Sequence, residues 1–355
     1  MPYTVGVIGC GMIAPFHFSA LEKIGASVRW VSDLNQELAA PWCDRFGARY
    51  TPNYRDILHD PAVQAVHVLT YTGHHREICL AAIEAGKAVV CEKTLARSGA
   101  EAFEIVSAAL RRRVPFYTCY MKRFIPAVEK ARELLPKIGP VVSSYFRSYQ
   151  KWGPVWGPQP SSGFFHKPPD GPSEVIRRYG GGMLPMGGSH ILDLILFLLG
   201  RPFRLAAWMV EPPDRDYDLQ ATAILETANG PVHFEALAHP LERIGFWKDG
   251  WDERFEINGL QGRLDLYSAP WNEVTHKASL LVHYDNQTGC ATEYRFAPAS
   301  PFERAIARFA PHIARGVQGE QSALTGWEVD HLIDHIRLSA REKQMLTISW
   351  NEPHP

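Results

Sequence analysis

One stretch constrains this chain more than any other: Thr4 to Ala14, T-V-G-V-I-G-C-G-M-I-A. Thr4–Ile8 is rich in β-branched residues, the composition of a strand buried in a parallel sheet. Gly9, Gly11 and Ala14 follow in the pattern G-x-G-x-x-A, with Met12 and Ile13 inside the loop. In such a pattern the first glycine turns the chain out of the strand. The second lets a pyrophosphate approach the backbone. The small third residue lets a helix pack close and present its first N–H groups to the phosphates. A helix is expected over Phe16–Ile24 and a second strand over Ser27–Ser32. Asp33 closes that strand, roughly twenty residues past the loop, where a carboxylate meets ribose hydroxyls. The stretch therefore predicts dinucleotide binding. Leu34 follows Asp33 with no arginine close behind. A carboxylate there suits the free 2′-hydroxyl of NAD and repels the 2′-phosphate of NADP, so NAD is expected.

A chain of 355 residues is long enough for two domains. The division expected is 1–122 for the dinucleotide-binding domain and 123–355 for a substrate-binding and oligomerisation domain. A net charge of −1 argues against a general nucleic-acid or anionic-membrane binder. The apolar run Ile191–Leu199 is short and interrupted by Asp193, so no membrane-spanning helix is expected. The first strand begins within a few residues of Met1, so no leader peptide is expected. None of the six cysteines falls in a C-x-x-C pair. They read as free thiols of a cytoplasmic protein, with neither a disulfide framework nor a metal site.

Strand and helix patterns alternate from Thr4 to about Thr118. That alternation predicts an α/β fold, a Rossmann domain with a parallel sheet covered on both faces. Ligands of such sheets bind beyond the carboxyl ends of the strands. The residues in those positions are Gly9–Ala14, Asp33, Thr70 to His75, and Glu92-Lys93-Thr94. Lys93 follows the strand Ala88–Cys91 and is expected to project into the crevice. There it could bond a substrate hydroxyl, stabilise an alkoxide or join a proton relay.

Beyond Tyr120 the alternation stops. A helix over Ala127–Leu135 and a series of strands from Val141 to Phe296 predict an α+β domain with a large, mostly antiparallel open sheet. Asn229-Gly230 signals a hairpin. Gln150–Arg178 is a long irregular segment carrying Trp152, Trp156, Phe164 and Phe165, aromatic faces suited to the C–H faces of sugars. His190, Asp193 and Phe197 share one face of a helix by their spacing.

At this point the residues resemble the Gfo/Idh/MocA family, named for glucose–fructose oxidoreductase and inositol dehydrogenase. Beside the glycine loop, E-A-G-K-A-V-V-C-E-K-T at Glu84–Thr94 resembles the family's E-A-G-K-x-V-x-x-E-K-P. Y-M-K-R-F-I-P at Tyr120–Pro126 is similar to the segment that opens its second domain. G-G-G-M-L-P-M-G-G-S-H-I-L-D at Gly180–Asp193 resembles its glycine-led motif. The resemblance implies hydride transfer between a secondary alcohol of a sugar or polyol and NAD(P). It makes Lys93 and His190 the catalytic candidates. Tyr120, Arg123, Trp152 and Met186 are expected with them on the substrate side, and Thr70, His75, Glu92 and Lys93 at the cofactor.

Three positions depart from the family pattern. Met186 stands where the family has an Asp, Thr94 where it has the Pro of E-K-P, and Tyr71 where it has the Pro of T-P-x-x-x-H. With the Asp gone, the proton must go to His190, to Lys93 or to a loop group such as Tyr179 or His166. The leading reading is a dehydrogenase acting on a sugar, polyol or glycoside. A redox-neutral, NAD-dependent glycoside cleavage and a non-catalytic NAD-binding sugar sensor or repressor are the alternatives. Relatives of this kind suggest a homo-oligomer, a dimer or a tetramer.

Overall fold

The computed structural model of the chain describes residues 3–240, 243–247, 250–273 and 277–354. It divides into two compact units. The first takes residues up to Met121, Phe302–His331 and the chain from Asn351 on. The second takes Lys122–Pro301 and Leu332–Trp350. This differs from the division 1–122 and 123–355 in its C-terminal segments. The reason is aromatic packing by α9 (Pro301–Ile313) and by the first turns of α10 (Thr325–Glu342). Phe302 stacks on Phe16 at 5.2 Å and Phe309 on Tyr117 at 4.3 Å between ring centroids. Trp327, 2% exposed, meets the ring of Phe103.

In the first unit six strands alternate with helices. They are β1 (Thr4–Ile8), β2 (Ser27–Ser32), β3 (Arg49–Thr51), β4 (Ala65–Val68), β5 (Ala88–Cys91) and β6 (Phe116–Thr118). The helices between them are α1 (Ala14–Lys23), α2 (Gln36–Phe46), α3 (Tyr54–His59), α4 (Thr72–Glu84) and α5 (Gly99–Arg112). The strand order is β3-β2-β1-β4-β5-β6, and every pair is parallel. All four residues of β4 and of β5 are buried, as strands covered on both faces require. Side-chain caps start three of the helices: Asn35 accepts the N–H of Glu37 for α2, Asn53 that of Arg55 for α3, and Ser98 that of Glu101 for α5. The order in which strands are added reverses between β1 and β4, which themselves run parallel. This is the switch point where open α/β sheets leave a crevice.

The second unit carries α6 (Pro126–Leu134), β7 (Val141–Lys151), α7 (Glu174–Tyr179) and α8 (Ser189–Leu199). Its remaining strands are β8 (Pro202–Val210), β9 (Gln220–Thr227), β10 (Gly230–His239), β11 (Trp251–Gly259), β12 (Gly262–Tyr267), β13 (Leu280–Asp285), β14 (Cys290–Arg295) and β15 (Leu346–Thr347). They form one nine-stranded sheet, β14-β13-β12-β11-β7-β10-β9-β8-β15. β7 and β10 pair parallel, and every other pair is antiparallel.

Register sorts the faces of this sheet. Phe255, Phe146, Phe234, Ala223 and Ala207 lie side by side across five strands, all buried. The next row carries Tyr145, stacked on His233 at 4.6 Å, and Ile224, with Tyr145 and Ile224 exposed. Period-two alternation thus gives the sheet one apolar core face. The expected hairpin joins β9 to β10, with the turn on Ala228 and Asn229 and Gly230 after it at φ +105°. The stretch Glu174–Leu199 is apolar enough by length and composition to cross a membrane, yet 89% of its most apolar window is buried inside this protein.

Candidate active site

In the first unit the dinucleotide loop is built by close approach. Gly9 has φ +98°, and a Cβ on it would stand 2.9 Å from the backbone of Leu69 and Thr70. No larger residue fits beside the end of β4. A Cβ on Gly11 would meet nothing within 4 Å, so the backbone there is open to a ligand. α1 begins at Ala14 with Pro15 in its first turn. The N–H groups of a helix's first turn have no partner within the helix, and they favour anions. Asp33 is fixed at the end of β2. One carboxylate oxygen accepts the N–H of Cys10 at 2.7 Å and the other that of Asn35 at 2.8 Å. The glycine loop and the Asp33 carboxylate are thereby fastened to each other. Met12 and Leu34 are exposed at 81% and 92% on either side. Among the described residues the buried hydroxyl of Thr70, just past the end of β4, has no hydrogen-bond partner, an orphan that can donate or accept. The open cradle over Gly11, the anchored carboxylate and this orphan fit a bound dinucleotide.

Glu92 and Lys93 follow β5 on the same edge. Glu92 is buried, Lys93 is half-buried, and the Lys93–Thr94 peptide is cis. The Glu92 carboxylate meets Nε2 of His17 at 2.9 Å through one oxygen and accepts the Lys93 N–H at 3.2 Å through the other. Burial alone would push its carboxyl up. The hydrogen bond from His17 and the nearby charge of Lys93 bring it below the usual range. His75 on α4 is fully buried between two carbonyl oxygens, Thr94 O at 2.9 Å from Nδ1 and Thr70 O at 2.9 Å from Nε2. It ties the segment after β4 to the segment after β5. Burial pushes its pKa down against those two carbonyls, so the ring stays neutral at pH 7 and donates to one of them.

In the second unit the glycine-led motif is held by a residue that the motif does not contain. Asp218, fully buried just before β9, accepts the N–H of Gly182 at 2.8 Å through one oxygen and that of Leu184 at 2.6 Å through the other. Its own backbone carbonyl accepts from Met183 at 3.0 Å. A Cβ on Gly182 would stand 1.9 Å from that carbonyl oxygen, so only glycine lets the loop close. Arg337 donates to Gly180 O at 2.8 Å. Leu184–Gly188 then forms one π turn, which carries Met186 and runs straight into α8. Wide turns of this kind are frequent at functional sites.

His190 is the second residue of α8, 6% exposed. One turn on, Asp193 is fully buried, and both its oxygens lie 2.9 Å from Nε of Arg123. The Arg123 guanidinium also lies 5.0 Å over the ring of Phe197. The pair is short, two-pointed and nearly dry, the geometry in which Arg and carboxylate bind best.

The expected residues thus fall into groups. Gly9, Gly11, Met12, Ile13, Asp33, Thr70, His75, Glu92 and Lys93 all follow the carboxyl ends of parallel strands of one sheet. Tyr120 is fully buried beyond the end of β6. Arg123, Met186 and His190 lie on adjoining segments of the second unit, with Arg123 engaged on Asp193. Trp152 belongs to an aromatic cluster of the irregular segment, 5.4 Å from Phe165, and Tyr179 meets Phe164 in the same cluster. His166 turns its Nδ1 to Pro160 O at 2.8 Å. Sequence reasoning missed Asp218, Arg337 and His17. The one available signal was His17, three residues past Ala14 and so on the inner face of the helix the loop opens.

Known proteins resemble the chain throughout these segments. Residues 3–120 match the model of an oxidoreductase family with an NAD-binding Rossmann fold, GFO_IDH_MocA, and residues 129–265 match the C-terminal domain of the same family. Levoglucosan dehydrogenase of Pseudarthrobacter phenanthrenivorans is 30% identical over 243 residues, 64% of this chain and 60% of that one. Inositol 2-dehydrogenase 2 of Saccharopolyspora erythraea is 27% identical over 342 residues, 92% of this chain and 89% of that one. A solved levoglucosan dehydrogenase, in complex with NADH and levoglucosan, has the same fold, with a TM-score of 0.82 at 23% identity over 98% of this chain and 100% of that one. With both halves matched in order, the chain belongs to the Gfo/Idh/MocA family of oxidoreductases.

Proposed function

We propose that this chain is an NAD-dependent dehydrogenase acting on a secondary alcohol of a sugar, polyol or glycoside. The observation that carries the reading is the common strand edge of the first unit. There an open glycine loop, an anchored carboxylate and Lys93 follow parallel strands of one sheet. Gly9–Ala14 would hold the pyrophosphate and Asp33 the ribose hydroxyls, which supports NAD over NADP. When bound, the nicotinamide supplies the hydride acceptor. Lys93 holds the substrate oxygen and stabilises charge on it. His190 takes the hydroxyl proton, since an imidazole is a suitable base near neutral pH and Met186 cannot relay one.

The names of the relatives, a levoglucosan and an inositol dehydrogenase, support a sugar-like substrate. Apolar residues on the outer face of the nine-stranded sheet, among them Trp208 at 60% exposure, support assembly into a homo-oligomer. The test is absorbance at 340 nm with NAD and a panel of sugars, inositols and glycosides. One group of compounds should reduce NAD. Lys93→Ala and His190→Ala should each lower kcat on the order of 10²–10⁴-fold. Unchanged turnover in both variants would remove the assignment. Tight NAD binding with cleavage of a glycoside and no net NADH would replace the dehydrogenase with the redox-neutral reaction.

A further inference from the structure

Beneath the strand edge of the first unit runs a buried line of hydrogen bonds that the proposed chemistry does not use. The Tyr3 hydroxyl lies 2.8 Å from Nε2 of His67 on β4. Nδ1 of His67 lies 3.0 Å from Nδ1 of His17 on α1, and Nε2 of His17 lies 2.9 Å from Glu92. The four residues are 1%, 0%, 0% and 6% exposed. Directly bonded members stand up to 75 positions apart in the chain.

Proton counting orients this line. Only one proton fits between the two facing Nδ1 atoms. With Glu92 ionised and a single proton on the His17 ring, the carboxylate accepts from Nε2–H of His17, which leaves the His17 Nδ1 bare. His67 must then carry its proton on Nδ1, and its bare Nε2 accepts the Tyr3 hydroxyl. Every contact holds one proton, and both rings are neutral. If Glu92 is protonated, every bond reverses and the Tyr3 hydroxyl proton is turned away into the core. The far end does not yield: burial holds the Tyr3 phenol protonated and keeps His67 from taking a second proton.

We infer that Tyr3, His67 and His17 are positioning residues that hold Glu92 as a carboxylate in one orientation, and through it the backbone of Lys93. The role for catalysis rests on the reading of Lys93 given above, whereas the chain itself does not. The other titratable groups near Glu92 are Lys93 beside it, the Cys119 thiol after β6, Cys91 on β5 with Asp330 of α10 nearby, and His75 on α4.

Nitrogen-15 spectra of the histidine rings in the full chain test the inference. His67 should be the Nδ1–H tautomer and His17 the Nε2–H tautomer, with His67 neutral from about pH 5.5 to 8.5, on either side of the ordinary histidine value. His67→Leu interrupts the chain. His67→Gln keeps it, because an amide oxygen can accept from Tyr3 while its N–H donates to His17. In His67→Leu the Glu92 carboxyl carbon, followed by carbon-13, should titrate at a higher pH than in the wild type, and His67→Gln should restore it. Where NADH is formed, kcat should fall about tenfold in His67→Leu, the size of one lost hydrogen bond, with KM for NAD unchanged and with rescue in His67→Gln. Tyr3→Phe serves if His67→Leu does not fold, because it removes only the terminal donor and should mix the His67 tautomers. The opposite tautomer at His67, or a Glu92 titration indifferent to both substitutions, would overturn the inference. A wild type silent at 340 nm would sink the dehydrogenase reading, and the tautomers would still decide the chain.

Discussion

Replacing Asp218 should disable the glycine-led loop without touching the dinucleotide loop. Its carboxylate receives two buried backbone N–H groups, from Gly182 and Leu184. Hydrogen bonds to a charged group contribute about 1.5–3 kcal/mol each, so their gross loss is about 3–6 kcal/mol. Part of this is returned, because Asp218→Ala also removes a buried charge. A net loss of about 2–4 kcal/mol follows. In a unit of this size each kcal/mol lowers Tm by about 2–4 °C, so thermal unfolding should begin roughly 5–15 °C lower.

Asp218→Asn keeps the shape but turns an NH₂ toward one of the two N–H donors, and it should recover less than half of the loss. Turnover should fall in both variants, since the loop leads directly into α8 and His190, while the affinity for NAD stays. Burial raises the Asp218 pKa above its unfolded value, so the folded chain binds more protons between the two values. Stability contributed through this group therefore falls as pH rises from about 3.9 through the raised folded value, and Asp218→Ala should flatten that slope. An Asp218→Ala protein within about 0.5 kcal/mol of wild type, the range of an ordinary surface change, would refute the reasoning.

Two further outcomes are expected. Asp33→Ala should raise KM for NAD at least about tenfold and narrow the preference over NADP, because a charge-assisted ribose contact is lost and a 2′-phosphate is no longer repelled; initial rates with both cofactors check this, and an unchanged NAD to NADP ratio would contradict it. Arg123→Met should cost about 3–5 kcal/mol by taking the guanidinium away from the buried Asp193 carboxylate. Denaturant unfolding measures it, and the double variant with Asp193→Leu should recover most of the loss.

What could be read ahead of the structure was what is local. β1 runs over Thr4–Ile8, β2 over Ser27–Ser32 and β5 over Ala88–Cys91, as read from the sequence. Asp33 could be assigned because the loop, helix and strand that deliver it are consecutive, so spacing in sequence becomes spacing in the fold. The groups that support the site are remote instead. Asp218 lies 34 and 36 positions from the amides it receives, and His67 lies 50 from His17. Each of the two histidines reads as an isolated polar residue on an apolar face until β4 and α1 are packed together. The π turn at Leu184–Gly188 carries no periodicity of its own. α9 and the start of α10 rejoin the first unit through single aromatic residues, Phe302, Phe309 and Trp327, that look like any amphipathic helix. Arg123 reads as a ligand-binding cation, and only the fold shows Asp193 in front of it.

The irregular segment between β7 and α7 has a use for anyone wishing to redirect this protein. Among the described residues its fastenings include the Trp156 indole on Ala238 O, Arg215 on Gly157 O at 2.5 Å, the Tyr217 hydroxyl on Phe165 O at 2.9 Å with the two rings in contact, and the Ser173 N–H on Asp216 at 2.8 Å. Val155, 2% exposed, is its one deeply inserted apolar side chain before Ser173. The Phe255–Phe146–Phe234 row of the sheet lies outside it in sequence and takes no residue from it. The segment is a cassette clipped to a finished framework. Libraries that vary it between Trp152 and Pro172, with Val155 and the clip residues kept, can explore new recognition surfaces while leaving the framework's stability in place.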